Sequence, residues 1–314
     1  MRIAIAGTGG LAFWIAHYIQ QETPHQVLLL SRTASAASNG RNFPTQVVNY
    51  GDSDSLRFAL AGADIVVSTV LGQAQIQLIE AAVRARVRRF VPAEFEGSPR
   101  LRPAGDPLDR GRLAARQLLY QYRNRIQSTS FICGIFYERF QPGGLAGSRI
   151  GSTSGFNSEG DYILDLRNMT AQVPLYNSSG QYATICMTAV QDVARFVVRA
   201  LEIPEWPPEL SMCGDRMTVF DLVSMAQNLK GESFEPIQWH VNAQSLQSTL
   251  NLAVATQDIY RQRRTQALIA TAEERYNFAT PATLNRTFSD IQPTRFRDWL
   301  VRVWNLDDDD DDDE

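Results

Sequence analysis

The 314-residue chain is 44% hydrophobic and 20% charged, the balance of a folded protein large enough to bury its own core without disulfides or metal. Its three cysteines, Cys133, Cys186 and Cys213, are too few and too scattered for a disulfide framework or a zinc site, which predicts free buried thiols and no bound metal. The net charge of −4 comes from eight consecutive acids at 307–314, and the rest of the chain carries an excess of base.

Arg2-Ile3-Ala4-Ile5-Ala6 reads as a buried strand that breaks at Gly7-Thr8-Gly9-Gly10. A helix is predicted near 10–21, with Leu11, Trp14, Ile15, Tyr18 and Ile19 on one face. The spacing G-x-G-G-x-A after a strand is that of a dinucleotide site. Gly7 permits the tight turn, Gly9 or Gly10 lets backbone amides approach a pyrophosphate, and Ala12 lets helix and sheet pack closely. Further strands are predicted at Gln26–Ser31, Thr45–Asn49, Ile65–Val70, Arg89–Val91 and Ser130–Gly134, with helices near 53–61, 74–86 and 108–122. This alternation predicts an α/β fold, a doubly wound parallel sheet of Rossmann type with its ligand crevice at the carboxyl ends of the strands.

Beyond Pro142-Gly143-Gly144 the pattern changes. A Gly/Ser-rich stretch over 147–160 precedes a predicted strand at Ala183–Thr188 and helices over Val190–Leu201, Thr218–Lys230, 256–276 and 294–304. The expected organisation is a dinucleotide-binding domain over 1–150 and a smaller, mostly helical substrate lobe over 151–306, lying on the crevice. The acidic run at 307–314 repels itself and buries no apolar surface, so it is expected to be a disordered tail. The chain opens directly on a strand and has no apolar run of membrane length, so the expected location is the cytoplasm, away from membranes. The basic run Arg84, Arg86, Arg88 and Arg89 sits at a helix end, where cations suit the macrodipole, and nucleic acid is not an expected partner.

Four segments together resemble the NmrA-like and isoflavone-reductase-like proteins, the atypical short-chain dehydrogenase/reductases. They are the glycine turn, Ser31-Arg32-Thr33, Leu71-Gly72-Gln73-Ala74-Gln75, and Arg89-Phe90-Val91-Pro92-Ala93-Glu94-Phe95. The last is similar to the family signature R-F-x-P-S-E-F-G, with Ala93 for serine and Glu96 for glycine. Thr188-Ala189-Val190-Gln191-Asp192-Val193-Ala194 resembles the start of a second-lobe helix of that family. The resemblance runs from Met1 to about Asn305 and is nearest in appearance to fungal members, many of them associated with secondary metabolism.

Cofactor choice follows from charge. An NAD-selective unit ends its second strand on an acid that accepts from the ribose 2′-hydroxyl. Here Ser31-Arg32-Thr33 stands at that place with no acid nearby, and a guanidinium suits a 2′-phosphate, so NADPH/NADP is the expected cofactor. In the family the matching arginine holds that phosphate. The resemblance also implies that Gly7, Thr8, Gly9, Gly10 and Leu11 cradle the pyrophosphate, and that Thr69, Val70, Leu71 and Gly72 line the adenosine and pyrophosphate side. It puts Gln75 near the nicotinamide half and Pro92, Ala93, Glu94 and Phe95 beside the nicotinamide ribose. Glu94 and Phe95 read equally well as structural.

Lys230 is the single lysine among 30 basic residues, so the Tyr-x-x-x-Lys pair of typical short-chain dehydrogenases is absent. The family lysine on the helix after the signature is replaced by Arg110 or Arg112, whose high pKa makes either a poor proton shuttle. Candidate proton donors are Tyr137 and Glu138, after a predicted strand, and Asp109 beside Arg110. The bland alternatives are a crevice wall for Tyr137 and surface ion pairs for Glu138–Arg139 and Asp109–Arg110. Phe140, Phe156, Tyr162 and Met169 are expected to roof a small-molecule pocket. Three function classes stay open: an NADPH-dependent reductase of a small, largely apolar metabolite; a non-catalytic NmrA-like redox sensor binding NADP and a protein partner; and an isomerase or cyclase on the same scaffold.

Overall fold

A computed structural model describes residues 1–33 and 43–306; the expected tail at 307–314 lies outside the described residues. The first half runs β1 (Arg2–Ala6), α1 (Gly10–Glu22), β2 (Gln26–Ser31), β3 (Thr45–Val47), α2 (Ser53–Ala59), β4 (Ile65–Ser68), α3 (Gln73–Arg84) and β5 (Arg89–Val91). It continues through β6 (Phe95–Glu96), α4 (Arg112–Gln121), β7 (Gln127–Ser128), β8 (Ser130–Ile132), β9 (Ile135–Phe136), a 3₁₀ turn at Tyr137–Phe140, and α5 (Gly144–Gly147). A parallel six-stranded sheet in the order β3-β2-β1-β4-β5-β7 results. Strand order reverses between β1 and β4, the place where doubly wound folds open a ligand crevice.

Both faces of this sheet are covered, which is why its strands are apolar throughout. Ile3 and Ile5 point to a core shared with Leu11, Ile15 and Ile19 of α1, while Ala4 and Ala6 point to one shared with α2, α3 and α4. The small alanines let the second layer approach closely.

The second half runs β10 (Leu164–Asp165), β11 (Thr170–Pro174), β12 (Thr184–Thr188), α6 (Val190–Ala200), β13 (Glu209–Ser211), β14 (Asp215–Thr218) and α7 (Val219–Lys230). It closes with β15 (Ile237–His240), α8 (Ala243–Ala255), α9 (Ile259–Ala272), α10 (Thr283–Thr287) and α11 (Phe296–Trp304). The expected helices are there, but the lobe holds more strand than its sequence suggests. The chain also crosses residue 150 and returns: β12 pairs parallel with β9, β13 pairs parallel with β8, and α6 shares the core of α1. Residues 184–211 thus build onto the first half. A third core joins Tyr137, Phe140 and Tyr162 to α7, α9 and α11 and closes over the crevice. Among the described residues, no helix is long and apolar enough to cross a membrane.

Candidate functional site

A cavity of about 630 Å³ opens at the carboxyl ends of β1, β2 and β4 and runs under the second-half residues 145–156 and 263–276. Gly7 through Leu11, Ser31 through Thr33, and Thr69 through Leu71 all line it, as the sequence predicts. Gly7 turns at φ +110°, and a Cβ there would lie 2.2 Å from Thr69 Oγ1. Thr69 is itself tied to β1, its Oγ1 donating to Ala6 O at 2.8 Å. The tight turn therefore needs glycine.

The role expected for Gly10 is different in detail. A Cβ on Gly10 would meet Ser148 O at 1.9 Å, and its N–H donates to Arg149 O at 3.0 Å. The close approach that this glycine permits is that of the 148–150 backbone, and its amide is already used. The amides of Leu11 and Ala12, in the first turn of α1, have no intrahelical acceptor and both residues line the cavity, which suits a pyrophosphate.

At the end of β2, Ser31 Oγ donates to Thr33 O at 2.8 Å and accepts from Thr33 N–H at 3.2 Å, which turns the chain outward at Arg32. Arg32 is exposed at the cavity mouth. Among the described residues it makes no hydrogen bond or ion pair, and no acid lines the cavity beside it. These residues fit a phosphorylated dinucleotide.

The motif after β5 divides. Ala93 and Phe95 line the cavity, whereas Glu94 does not. Glu94 is 1% exposed and ion-paired with Arg102 and Arg116, which makes it structural. Pro92, Gly72 and Gln75 also lie off the cavity wall. Gln75 acts indirectly: it is fully buried, and its Oε1 accepts from Ala93 N–H at 2.7 Å, fixing the loop that carries Ala93.

The catalytic expectations need correction. Tyr137 is fully buried off the cavity, packed against Phe296 and Trp299, with its hydroxyl donating to Thr294 O at 3.1 Å. Burial, reinforced by nearby Asp215, pushes its phenol well above the usual range, and because Tyr137 lies off the cavity wall its hydroxyl does not reach a ligand there. Glu138 is 3% exposed, with both carboxylate oxygens accepting from Val190 N–H at 3.0 and 3.1 Å. Burial pushes it up to about 7, and it anchors the start of α6. Asp109 also lies off the cavity; its carboxylate accepts from the N–H groups of Gly111 and Leu113, each at 3.0 Å, and holds the first turn of α4. None of these three lines the cavity; of the two arginines in place of the family lysine, Arg112 does, and so does Arg110. Its Nη2 donates to Thr153 O and Oγ1, both at 2.9 Å, and burial beside Arg112 and Arg263 lowers it to about 10.

Phe156 and Tyr162 form the expected aromatic wall, while Phe140 and Met169 are core residues behind it. Sequence reasoning missed Arg139, Arg263, Ala267 and Tyr276, which complete that end. It also missed the ion-pair network beneath. Glu96 lines the cavity and is bound by Arg102, Arg112 and Arg275. Burial would raise its carboxyl, but those guanidinium groups outweigh it and hold it at about 2.

Residues 6–119 match the family model described as NAD(P)H-binding. An oxidoreductase of the fungus Botryotinia fuckeliana, BOA1, is 27% identical over 251 residues, covering 76% of this chain and 79% of its own. Among solved structures, AtPrR2 with NADP+ and (+)-pinoresinol superposes with a TM-score of 0.70 at 17% identity, covering 96% of this chain and 98% of that one. The leucoanthocyanidin reductase–NADPH complex of Vitis vinifera gives 0.68 at 17% identity, covering 96% and 99%. Residues 6–119 are accordingly an NAD(P)H-binding domain, and the chain as a whole is similar to a fungal oxidoreductase and has the fold of AtPrR2 and leucoanthocyanidin reductase.

Proposed function

We propose that this protein is an NADPH-dependent reductase of a small, largely apolar aromatic metabolite, in secondary metabolism. The observation that carries the reading is one continuous cavity with a glycine turn and the exposed Arg32 at one end and an aromatic wall of Phe156, Tyr162 and Tyr276 at the other. When bound, the cofactor supplies a hydride. Arg32 holds the 2′-phosphate, the first turn of α1 holds the pyrophosphate, and Ala93 and Phe95 flank the nicotinamide ribose. The aromatic end excludes water and orients the acceptor. Lysine is not needed for these tasks.

The proton comes from a group that faces the cavity. Tyr276 does, and burial lifts its hydroxyl to about 12 although neighbouring Arg275 acts in the opposite sense. It therefore stays protonated at neutral pH and is the better-placed donor.

The reading is tested by incubating the protein with NADPH and a panel of aromatic enones, quinones and imines, following both cofactor oxidation and product mass. The expected result is NADPH consumption with a product heavier by two hydrogens. Tight NADPH binding with no turnover overturns the reading in favour of a dinucleotide sensor, and product without NADPH consumption overturns it in favour of an isomerase or cyclase.

A further inference from the structure

We propose that Arg139 anchors an anionic oxygen group, a carboxylate, on the aromatic ligand that fills the inner end of the cavity. The proposal rests on the reductase reading for the identity of the site and adds what its substrate must carry.

Six arginines line the cavity: Arg32, Arg110, Arg112, Arg139, Arg149 and Arg263. Four are committed to the protein. Arg110 donates to Thr153, Arg112 to Ala93 O and Leu108 O, Arg149 to Thr8 O, and Arg263 to Ser154 O. Arg32 stands at the mouth, at the cofactor end. Arg139 stands at the other end, half-buried, and among the described residues its guanidinium makes no hydrogen bond and no ion pair.

What it does make are ring contacts. Its guanidinium carbon lies 4.7 Å from the centroid of Phe156 and 5.6 Å from that of Tyr162. Aromatic faces attract the cation but accept none of its five N–H donors. The nearby acids are already spent. Glu96 is shared by Arg102, Arg112 and Arg275, and Glu138 is bound to Val190 N–H. Asp161 accepts from Ser158 N–H at 2.6 Å and from the Tyr260 hydroxyl at 2.8 Å.

Arg139 is half-buried on the cavity wall, and burial lowers its pKa although Tyr276, Tyr162, Glu96 and Asp161 act in the opposite sense. A ligand carboxylate would satisfy it through two parallel hydrogen bonds while its ring packs on Phe156, Tyr162 and Ala267. A ligand without an acceptor would leave those N–H donors unmet, and a cationic one would be repelled.

The test uses the NADP+-loaded protein, titrated calorimetrically with trans-cinnamate and with methyl cinnamate. Cinnamate is expected to bind at least about tenfold tighter than its ester, the size of one charge-assisted bond pair. Arg139→Met should erase that preference, and Arg139→Lys should keep part of it. NADP+ affinity should stay within about twofold in both variants, which reports intact folding. Equal binding of acid and ester to the unsubstituted protein, retention of the preference in Arg139→Met, or no cinnamate binding at millimolar concentration would each overturn the proposal. The readout is binding, so an Arg139-dependent preference without any NADPH turnover sinks the reductase reading alone. Turnover of a neutral aromatic without an acid preference sinks the Arg139 assignment alone.

Discussion

Among the described residues, each end of the cavity holds one guanidinium without a hydrogen-bond or ion-pair partner, in different surroundings. Arg32 is exposed at the carboxyl end of β2, where water and salt screen a charge at little cost. Arg139 is half-buried against the rings of Phe156 and Tyr162, where its N–H donors meet faces that do not accept them. Between them lies a region that solves the problem internally, with Glu96 and Asp106 bound to Arg102, Arg112 and Arg275. The fully buried side chains of Arg102 and Arg275 are each matched by carboxylates. Leaving Arg139 without one marks that position as facing a ligand, whereas Arg32 needs its neighbouring glycine turn before the same conclusion follows.

The comparison is broken most severely through the shared floor. Arg275 is 1% exposed; its Nη1 donates to Asp106 Oδ2 at 2.6 Å and its Nη2 to Glu96 Oε1. Arg275→Met leaves both carboxylates short of a partner, and should cost ~3–5 kcal/mol of stability in a urea melt. A loss below about 1 kcal/mol would show that Arg102 and Arg112 carry the network without it.

A smaller effect sharpens the boundary between cavity and core. Tyr137→Phe removes one buried hydroxyl bonded to Thr294 O, for ~0.5–1.5 kcal/mol of stability. Its NADPH oxidation rate should stay within about twofold of the parent, because the hydroxyl does not face the cavity; a loss of ~100-fold, the least that general acid catalysis contributes, would return Tyr137 to the mechanism.

The two ends also differ in how much of them the sequence reveals. The cofactor end is local: β1, its glycine turn and α1 are contiguous, and Arg32 follows a strand whose end the pattern marks. The inner end is assembled from residues 135–163 and 263–276, which no spacing links. Tyr137 and Arg139 show the difficulty. They sit two apart in one 3₁₀ turn, and sequence reasoning weighed Tyr137 for the cavity and Arg139 only as half of a possible surface pair with Glu138. The turn points Tyr137 into the core beside Phe296 and Arg139 into the cavity. The short strands of the second half stayed hidden for a related reason. Several have only two to four residues, too few for a period to show, and β11 pairs with β15 across some sixty residues. Helix α8 was missed although Asn242 caps it, accepting from Ser245 N–H at 3.1 Å.

The central claim is that charge at the end of β2 selects the cofactor. It is tested most directly by the dissociation constants of NADPH and NADH for the parent protein and for Arg32→Ala, measured at one ionic strength. The parent should prefer NADPH, and the substitution should weaken NADPH by ~1.5–3 kcal/mol, roughly 10- to 150-fold, while NADH stays unchanged. Equal weakening of both cofactors, or no preference in the parent, would contradict the account.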